Sequence, residues 1–573
     1  MKNTTSKIFR ITILMLIILL VLLLPAISGL YADIVWYKNL GFYSVFIIPF
    51  ITKLLAGLAG FILVAGGLWF NFRVFNKLNR GRLYISGDQN AGIVQQPQEV
   101  SGIIKKIYAL ASVLIGFFSG VAIAGNWEVI LKFLYQTPFG STDPVLGYDI
   151  SYYVFTLPFL KMVAGLLFFL LVVSFLVSAL LYAWHIMFHH FGEKVKFWGS
   201  ISVPFVPESA KRHLSVLLVL GFALTAIYLY TVSLPSLLLK KHELLTGANY
   251  TDLHAHLPVI YILMGAAVLA VITGVYMIVQ NKYKLWIPIF VLYFGVLILG
   301  GGIYPSLLQS LSVSPNELSK EYSSLERHIE ATQKAWDIDK VNIKELNGAQ
   351  ELTQEDIQEN QGTIDNIRLW DREPLLDTFS QIQEIRTYYD FKSLDTERYH
   401  LNGKYQQLSL APRELDYSNL PKRNFINERL TYTHGMGAAI TPVNKVTPEG
   451  LPVLYTKDLP PTSTQKKLKI DQPAIYYGEN QNDYVIANTE SKEFHYPGQE
   501  DNIYRNYSGS GGVGLNSFLS RALMAVNFGS YKIFLNSVII DEPRILYNRN
   551  IQERVRKALP FLALDSDPYM VVV

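Results

Sequence analysis

Hydrophobic residues are spread unevenly along the 573-residue chain. Long apolar runs fill it as far as about Ser306, and beyond that charged, amide, proline and glycine residues are mixed as in a globular domain. A helix needs about 20 mainly apolar residues to cross a hydrocarbon core of roughly 30 Å. Seven stretches meet that requirement, near residues 8–30, 44–70, 107–127, 157–186, 214–239, 257–280 and 285–304. The pattern predicts a membrane protein with seven transmembrane α-helices over residues 1–305, followed by a mixed α/β extracytoplasmic domain over residues 306–573.

Within the second part, Gly300–Gly302 and Pro305 are expected to end the last span. Ser314-Pro315-Asn316-Glu317 then reads as a helix start, with Ser at the N-cap, Pro at N1 and Glu at N3. Leu318, Tyr322, Leu325, Ile329, Thr332 and Trp336 follow at helical spacing and predict an apolar stripe that needs a partner. Asp371 is expected to cap a second helix with Leu375, Leu376, Phe379, Ile382 and Ile385 inward. From Tyr388 onward the chain breaks into short β-prone pieces, among them Val453–Tyr455, Ala474–Tyr477 and Tyr484–Ala487. Helical stretches are expected again near Leu515–Ala525 and Ile551–Leu559.

The loops orient the spans, because Lys and Arg collect on the cytoplasmic side. Lys2, Lys7 and Arg10 precede the first span, which reads as an uncleaved signal anchor. Arg73, Lys77, Arg80, Arg82, Lys105 and Lys106 follow the second, Lys194, Lys196, Lys211 and Arg212 the fourth, and Lys282 and Lys284 the sixth. All fall on one side. An inside amino terminus and an odd number of spans put everything after Tyr304 outside a plasma membrane, with the lipid bilayer as the first partner. Trp36, Tyr37, Trp69, Trp127, Tyr152, Tyr153, Trp184 and Trp286 stand where interfacial anchors belong. The stretch Thr142–Pro158 reads as a turn at Asp143-Pro144 and an aromatic segment along the outer membrane surface.

Composition agrees with this picture: 50% of residues are hydrophobic and 17% charged. The net charge of +4 is spread along the chain, and no nucleic-acid partner is expected. The absence of cysteine excludes disulfides, thiol nucleophiles and cysteine-held metal sites. No motif specifies a cofactor, and none is expected.

Candidate chemistry is sparse. Tyr432-Thr433-His434-Gly435 sets a histidine beside glycines, where it could act as a ligand or general base; alternatively Gly435 and Gly437 form a tight turn that His434 or Thr433 hydrogen-bonds. Asp565-Ser566-Asp567 spaces two carboxylates as cation loops do, against the plainer reading of a turn before Pro568. His185 and His189 stand one helical turn apart with His190 adjacent and are the metal candidates, but no acidic partner lies in that segment, and an interfacial, partly solvated histidine cluster is the favoured reading. Asp371-Arg372-Glu373 and Glu542 with Arg544 read as surface or helix-end charges. Gly509-Ser510-Gly511-Gly512-Val513-Gly514 fits the G-x-G-x-x-G pattern, but no buried strand precedes it, and a flexible loop is expected. Lys53, Glu128, Lys132 and Lys161 fall near outward ends of spans, where snorkelling accounts for the lysines.

Several segments together resemble one known family. They are Asp143–Phe159 (DPVLGYDISYYVFTLPF), Tyr304–Glu317 (YPSLLQSLSVSPNE), Asn366–Pro374 (NIRLWDREP), Tyr432–Gly437 (YTHGMG), Glu449–Pro452 (EGLP), Glu493–Pro497 (EFHYP) and Phe561–Val571 (FLALDSDPYMV). Through nearly its whole length the chain resembles uncharacterised protein family 0182, large bacterial multi-pass membrane proteins with an extracytoplasmic domain. The resemblance implies location and architecture, and no activity or catalytic residue. It also implies a longer protein, since the chain stops at Val573 in what reads as a buried strand; a truncated product is expected. The leading functional expectation is a binding, scaffolding or assembly component that meets envelope proteins or polymers. A membrane-anchored envelope enzyme using His434, Asp565 and Asp567, and a transporter or channel with an outer cap, are the alternatives.

Overall fold

The structure is a computed structural model that describes residues 2–79, 102–189, 194–197, 201–204, 206–243, 245–345, 348, 351–481, 483–540 and 542–573. Seven of its helices are long and apolar enough to cross a membrane: Val21–Asn39, Tyr43–Leu78, Ile104–Gly125, Tyr152–Trp184, Glu208–Leu239, Asp252–Gln280 and Tyr283–Ala335. A strand-rich region follows them. The contacts of the chain divide it into two units, Pro49–Glu345 and Met1–Ile48 with Leu346–Val573.

In the unit Pro49–Glu345 the second and third spans approach closely because glycines line their contact. A Cβ on Gly120 would lie 2.5 Å from the Gly57 carbonyl, and one on Gly116 would lie 2.7 Å from the Ala65 Cβ. Small residues let the two helix backbones meet. Polar side chains also join the helices. Asn71 Nδ2 donates to Ser178 Oγ at 2.8 Å, and the Tyr108 hydroxyl donates to the Leu68 carbonyl at 2.8 Å.

The last of the seven helices does not end at Gly300–Gly302 and Pro305, because the chain passes through π-helical turns at Leu299–Ile303 and Gln309–Val313 and stays helical to Ala335. Wide turns take up the missing N–H of Pro305, and glycine accommodates them without a side-chain clash. The helix after Asn316 therefore inherits its orientation from the span below it. It buries Glu321 and Ser324, while Leu318, Tyr322, Ile329 and Trp336 of the expected inward stripe are exposed. The aromatic segment after Asp143 is continuous with a helix. Asp143 makes the turn by accepting the N–H groups of Val145, Leu146 and Tyr148, and Tyr152–Thr156 then forms a π turn leading directly into the helix Leu157–His189.

In the other unit the centre is a sheet built around the long strand Lys404–Leu415. It pairs with Asp395–Leu401 through a hairpin at Asn402-Gly403, where both φ angles are positive, as a two-residue type I′ turn requires. Its far end pairs with Tyr389–Phe391, and its other edge with Ala438–Pro442, after which come Thr456–Lys457 and Thr462–Ser463. A second sheet has Arg544–Leu546 between Val485–Ala487 and Val513–Gly514. The predicted helices appear as Arg372–Gln383, Phe518–Asn527 and Ile551–Ala558. Asp371 precedes the first of these without a side-chain cap. Leu375 and Phe379 are buried, but Ile382 and Ile385 are exposed as the helix ends. Val453–Tyr455 only leads into a strand, and Phe561–Val573 is in no strand.

The first helix, Lys2–Asn39, belongs to this unit through its carboxy-terminal turns. Ala32, Trp36 and Tyr37 are buried in one core with Ile486, Leu515, Met524, Ile545 and Tyr547. Tyr547 donates to the Ala32 carbonyl at 2.6 Å, Tyr37 donates to the Lys557 carbonyl, and Lys557 pairs with Asp33 at 2.6 Å. Trp36 and Tyr37 are thus packing residues of the strand-rich unit and not interfacial anchors, a distinction invisible in residue type alone. Trp286 is also buried, donating to Ser215 Oγ at 2.9 Å.

Candidate functional site

Three separate pieces of chain build the surroundings of His434. Gly435 and Met436 form a short strand against Ala474–Ile475, so the backbone here is extended and Gly435 is no part of a tight turn. A Cβ on Gly435 would lie 2.4 Å from the Arg413 carbonyl, so glycine serves a close backbone approach. The hairpin of Glu493–Pro497 with Asn502–Arg505 brings Glu493 and His495; its register shifts between Phe494 and Tyr496, a bulge that lets His495 meet the same cluster. Tyr476 follows the strand Ala474–Ile475, and its ring lies 4.7 Å from the His434 ring.

The hydrogen bonds form one directed chain. Thr433 Oγ1 donates to Glu493 Oε2, so it accepts from His434 Nδ1 at 2.8 Å. His434 therefore carries its proton on Nδ1, and its Nε2 accepts from His495 Nδ1 at 3.1 Å. Tyr476 also donates to Glu493 Oε2, at 2.7 Å. Glu493 Oε1 is buried with no hydrogen-bond partner. Arg549, fully enclosed, fixes the backbone of the cluster by donating to the carbonyls of Thr433 at 2.6 Å and Tyr476 at 2.7 Å.

Electrostatics keep both imidazoles neutral. Burial pushes His434 below the ordinary imidazole range against the pull of Glu493. Burial, and behind it repulsion from a protonated His434 and from Arg505, lowers His495 to about 4. Burial alone would raise the Glu493 carboxyl, but His434, with its Nδ1 3.5 Å away, and the hydrogen bonds from Thr433 and Tyr476 outweigh it, and the net direction is down. Burial and the adjacent Glu493 carboxylate push the Tyr476 hydroxyl far up.

A pH dependence follows. The unfolded chain protonates imidazoles that the fold holds neutral, so their stabilisation is complete above the ordinary value of 6.5 and is lost as pH falls from there through about 4. Glu493, held down in the fold, adds a loss of the same sign at lower pH. Melting of the strand-rich region is expected to shift down on acidification from about pH 7.5 to about pH 4.5. His495→Asn, which keeps a donor toward His434 but cannot titrate, should flatten that acid limb; an unchanged limb would refute the assignment.

The other sequence candidates lie elsewhere. Asp565 accepts the N–H of Ser566, and Asp567 faces Arg372 at 3.7 Å, with Asp395 on the same guanidinium at 3.2 Å. Neither is among the partners of His434. The backbones of His185 and His189 lie in the helix Leu157–His189; their side chains, His190 and the cationic loop 80–101 fall outside the described residues. Among the described residues no group of three His, Asp or Glu side chains is arranged to hold a metal. The glycine loop turns the carbonyls of Ser510, Gly511 and Gly512 toward Arg544 at 2.8, 3.0 and 3.1 Å. It is an arginine-clamped loop, not one that offers N–H groups to phosphate. Lys53 lies over the Trp127 ring at 5.0 Å, and Glu128 pairs with Lys132 at 2.7 Å.

Glu493, His495, Tyr476 and Arg549 were not legible as members of this site. The spacing of Glu493 and His495 in E-F-H-Y-P carries no local signal of it, because strand alternation is broken by the register shift between Phe494 and Tyr496.

Comparison with known proteins gives a family-model match, described as Uncharacterised protein family (UPF0182), over residues 10–573. Relatives include a UPF0182 protein of Geobacter sp. (strain M21), 38% identical over 95% of this chain and 59% of its own length. Another, from Pelotomaculum thermopropionicum, is 37% identical over 96% of this chain and 60% of its own, and one from Trichlorobacter lovleyi is 38% identical over 96% and 61%. The chain thus spans about three-fifths of the length of these relatives. No solved structure matches it significantly.

Proposed function

The chain belongs to the Uncharacterised protein family UPF0182, and from that premise we propose that it is a multi-pass protein of the bacterial plasma membrane, with a cytoplasmic amino terminus. The strand-rich region is displayed outside the cytoplasm as a binding and assembly surface of the envelope. The observation that carries this is the packing of Ala32, Trp36 and Tyr37, at the end of the first candidate span, into the strand-rich core. The region after the last span must then share a membrane face with the end of the first. Six further crossings between those points satisfy this, and an odd number would not. The cations at Lys2, Lys7 and Arg10 and in the loops after the second, fourth and sixth spans support an inside amino terminus.

The last helical run has 53 residues, about 80 Å at about 1.5 Å per residue, against a hydrocarbon core of roughly 30 Å. We place the start of the exterior part near Ser306, where the apolar run ends. Enclosure of His434 favours binding over catalysis, since Thr433, His434 and Glu493 are sealed, and Tyr476 and His495 are the half-buried members of the cluster.

The chain has no cysteine, so single cysteines report position cleanly. Lys404→Cys, exposed in the sheet, should react with a membrane-impermeant maleimide carrying a photo-crosslinker on intact spheroplasts and yield adducts with envelope components. Lys282→Cys, exposed after the sixth span, should react only after permeabilisation. The reverse pattern, or a labelled Lys404→Cys that yields no adduct, would overturn this reading.

A further inference from the structure

Within the unit Pro49–Glu345 a cavity of about 540 Å³ opens among the turn after the fifth span, the first turn of the sixth and the seventh helical run. Its size lies in the range of small-molecule sites. One wall is electrically closed on itself. Asp252, 1% exposed, receives Lys240 Nζ at 2.5 Å, His242 Nε2 at 2.8 Å and the Asn249 N–H at 3.3 Å.

The facing wall is not closed. Glu321 is 3% exposed, and its two oxygens share a single backbone donor, the Tyr250 N–H, at 3.1 and 2.8 Å. The adjacent Lys320 sends its ammonium over the Tyr250 ring at 5.1 Å. Glu317, one helical turn earlier, and Glu243 line the same cavity with exposed side chains and no ion pair among the described residues. Ser306 and Ser310 spend their protons on carbonyls of their own helix, at 2.8 and 2.9 Å, and so leave acceptor oxygens beside the cavity. Gln309 Oε1 is taken by Thr251 Oγ1 at 2.5 Å. His256 also borders the space. With Asp252 neutralised, the lining is rich in acceptors and holds an enclosed carboxylate that has one backbone donor and, among the described residues, no ion pair, an arrangement that a positive donor stabilises.

We propose that this cavity is a binding site for a small organic cation bearing a primary ammonium group, with Glu321 as the buried acceptor and Glu317 and Glu243 at its rim. The ammonium replaces water with charge-assisted hydrogen bonds to Glu321, while the acceptor oxygens of the seventh run receive its remaining N–H groups.

The test is calorimetric titration of the full chain in phosphatidylcholine nanodiscs with cadaverine. Saturable binding is expected, weakened at least about tenfold by Glu321→Gln and about two- to threefold by Glu317→Gln, with Glu326→Gln, exposed on the same helix, unchanged. Glu317→Gln should leave the melting temperature unaltered, so it reports binding even if Glu321→Gln fails to fold. Absence of saturable binding, equal affinity in all variants, or equal competition by tetramethylammonium or magnesium would overturn the proposal, since the first competitor has charge but no N–H and the second needs no organic body.

Discussion

Arg549→Met is expected to destabilise the strand-rich region by about 3–5 kcal/mol, the largest effect of any single side chain around His434. The guanidinium is fully enclosed and meets no carboxylate. It donates instead to the carbonyls of Thr433, Tyr476 and, at 3.4 Å, Asp483, and to the Tyr417 hydroxyl at 3.0 Å. Methionine fills much of the same volume but strands these acceptors without water, and each orphaned group costs about 1–3 kcal/mol. Thr433 would lose the anchor that aligns its hydroxyl between His434 and Glu493. Arg549→Lys should fall between, because one ammonium cannot span the fork of a guanidinium. Urea midpoints from pulse proteolysis in nanodiscs measure the difference, and a methionine variant as resistant as the parent would remove Arg549 from its structural role.

The same residues show what was legible in advance. The seven long apolar helices could be read because hydrophobicity adds along about 20 consecutive residues, a local sum that tertiary contacts do not alter. His434 stood out because it sits beside glycines. Its partners did not, because the segments that carry Glu493, Tyr476 and Arg549 are brought together by contacts between distant parts of the chain, and a lone arginine between Asn548 and Asn550 has no local signature. The helix after Asn316 was legible as a helix, with Leu318, Tyr322 and Ile329 in periodic order. The face it buries was not, because two π turns beneath it set its rotation. Glycine and proline at residues 300–305 read as a stop only if the turn must be α-helical.

Trp36 is the sharpest case of one residue type serving two environments, and it leads to the second large effect. At the end of an apolar span a tryptophan is commonly a lipid-interface anchor, and truncating one costs little of the folded region's stability. Trp36 is instead enclosed in the core that includes Ile486, Leu515 and Met524, edge-on to Tyr37 at 5.0 Å, with Arg554 and Lys557 over its ring at 5.6 and 5.3 Å. Trp36→Ala should therefore cost about 3–5 kcal/mol in the strand-rich region through the cavity left behind. The two cation–π contacts add about 0.5–1 kcal/mol each. Trp36→Phe, which keeps a ring in place, should recover most of that loss. Trp69→Ala, at a partly exposed position in the second span, should leave the same region within about 0.5 kcal/mol of the parent. Protease resistance of the strand-rich region in nanodiscs separates the two, and matching behaviour of Trp36→Ala and Trp69→Ala would mean that the first span is not built into that core.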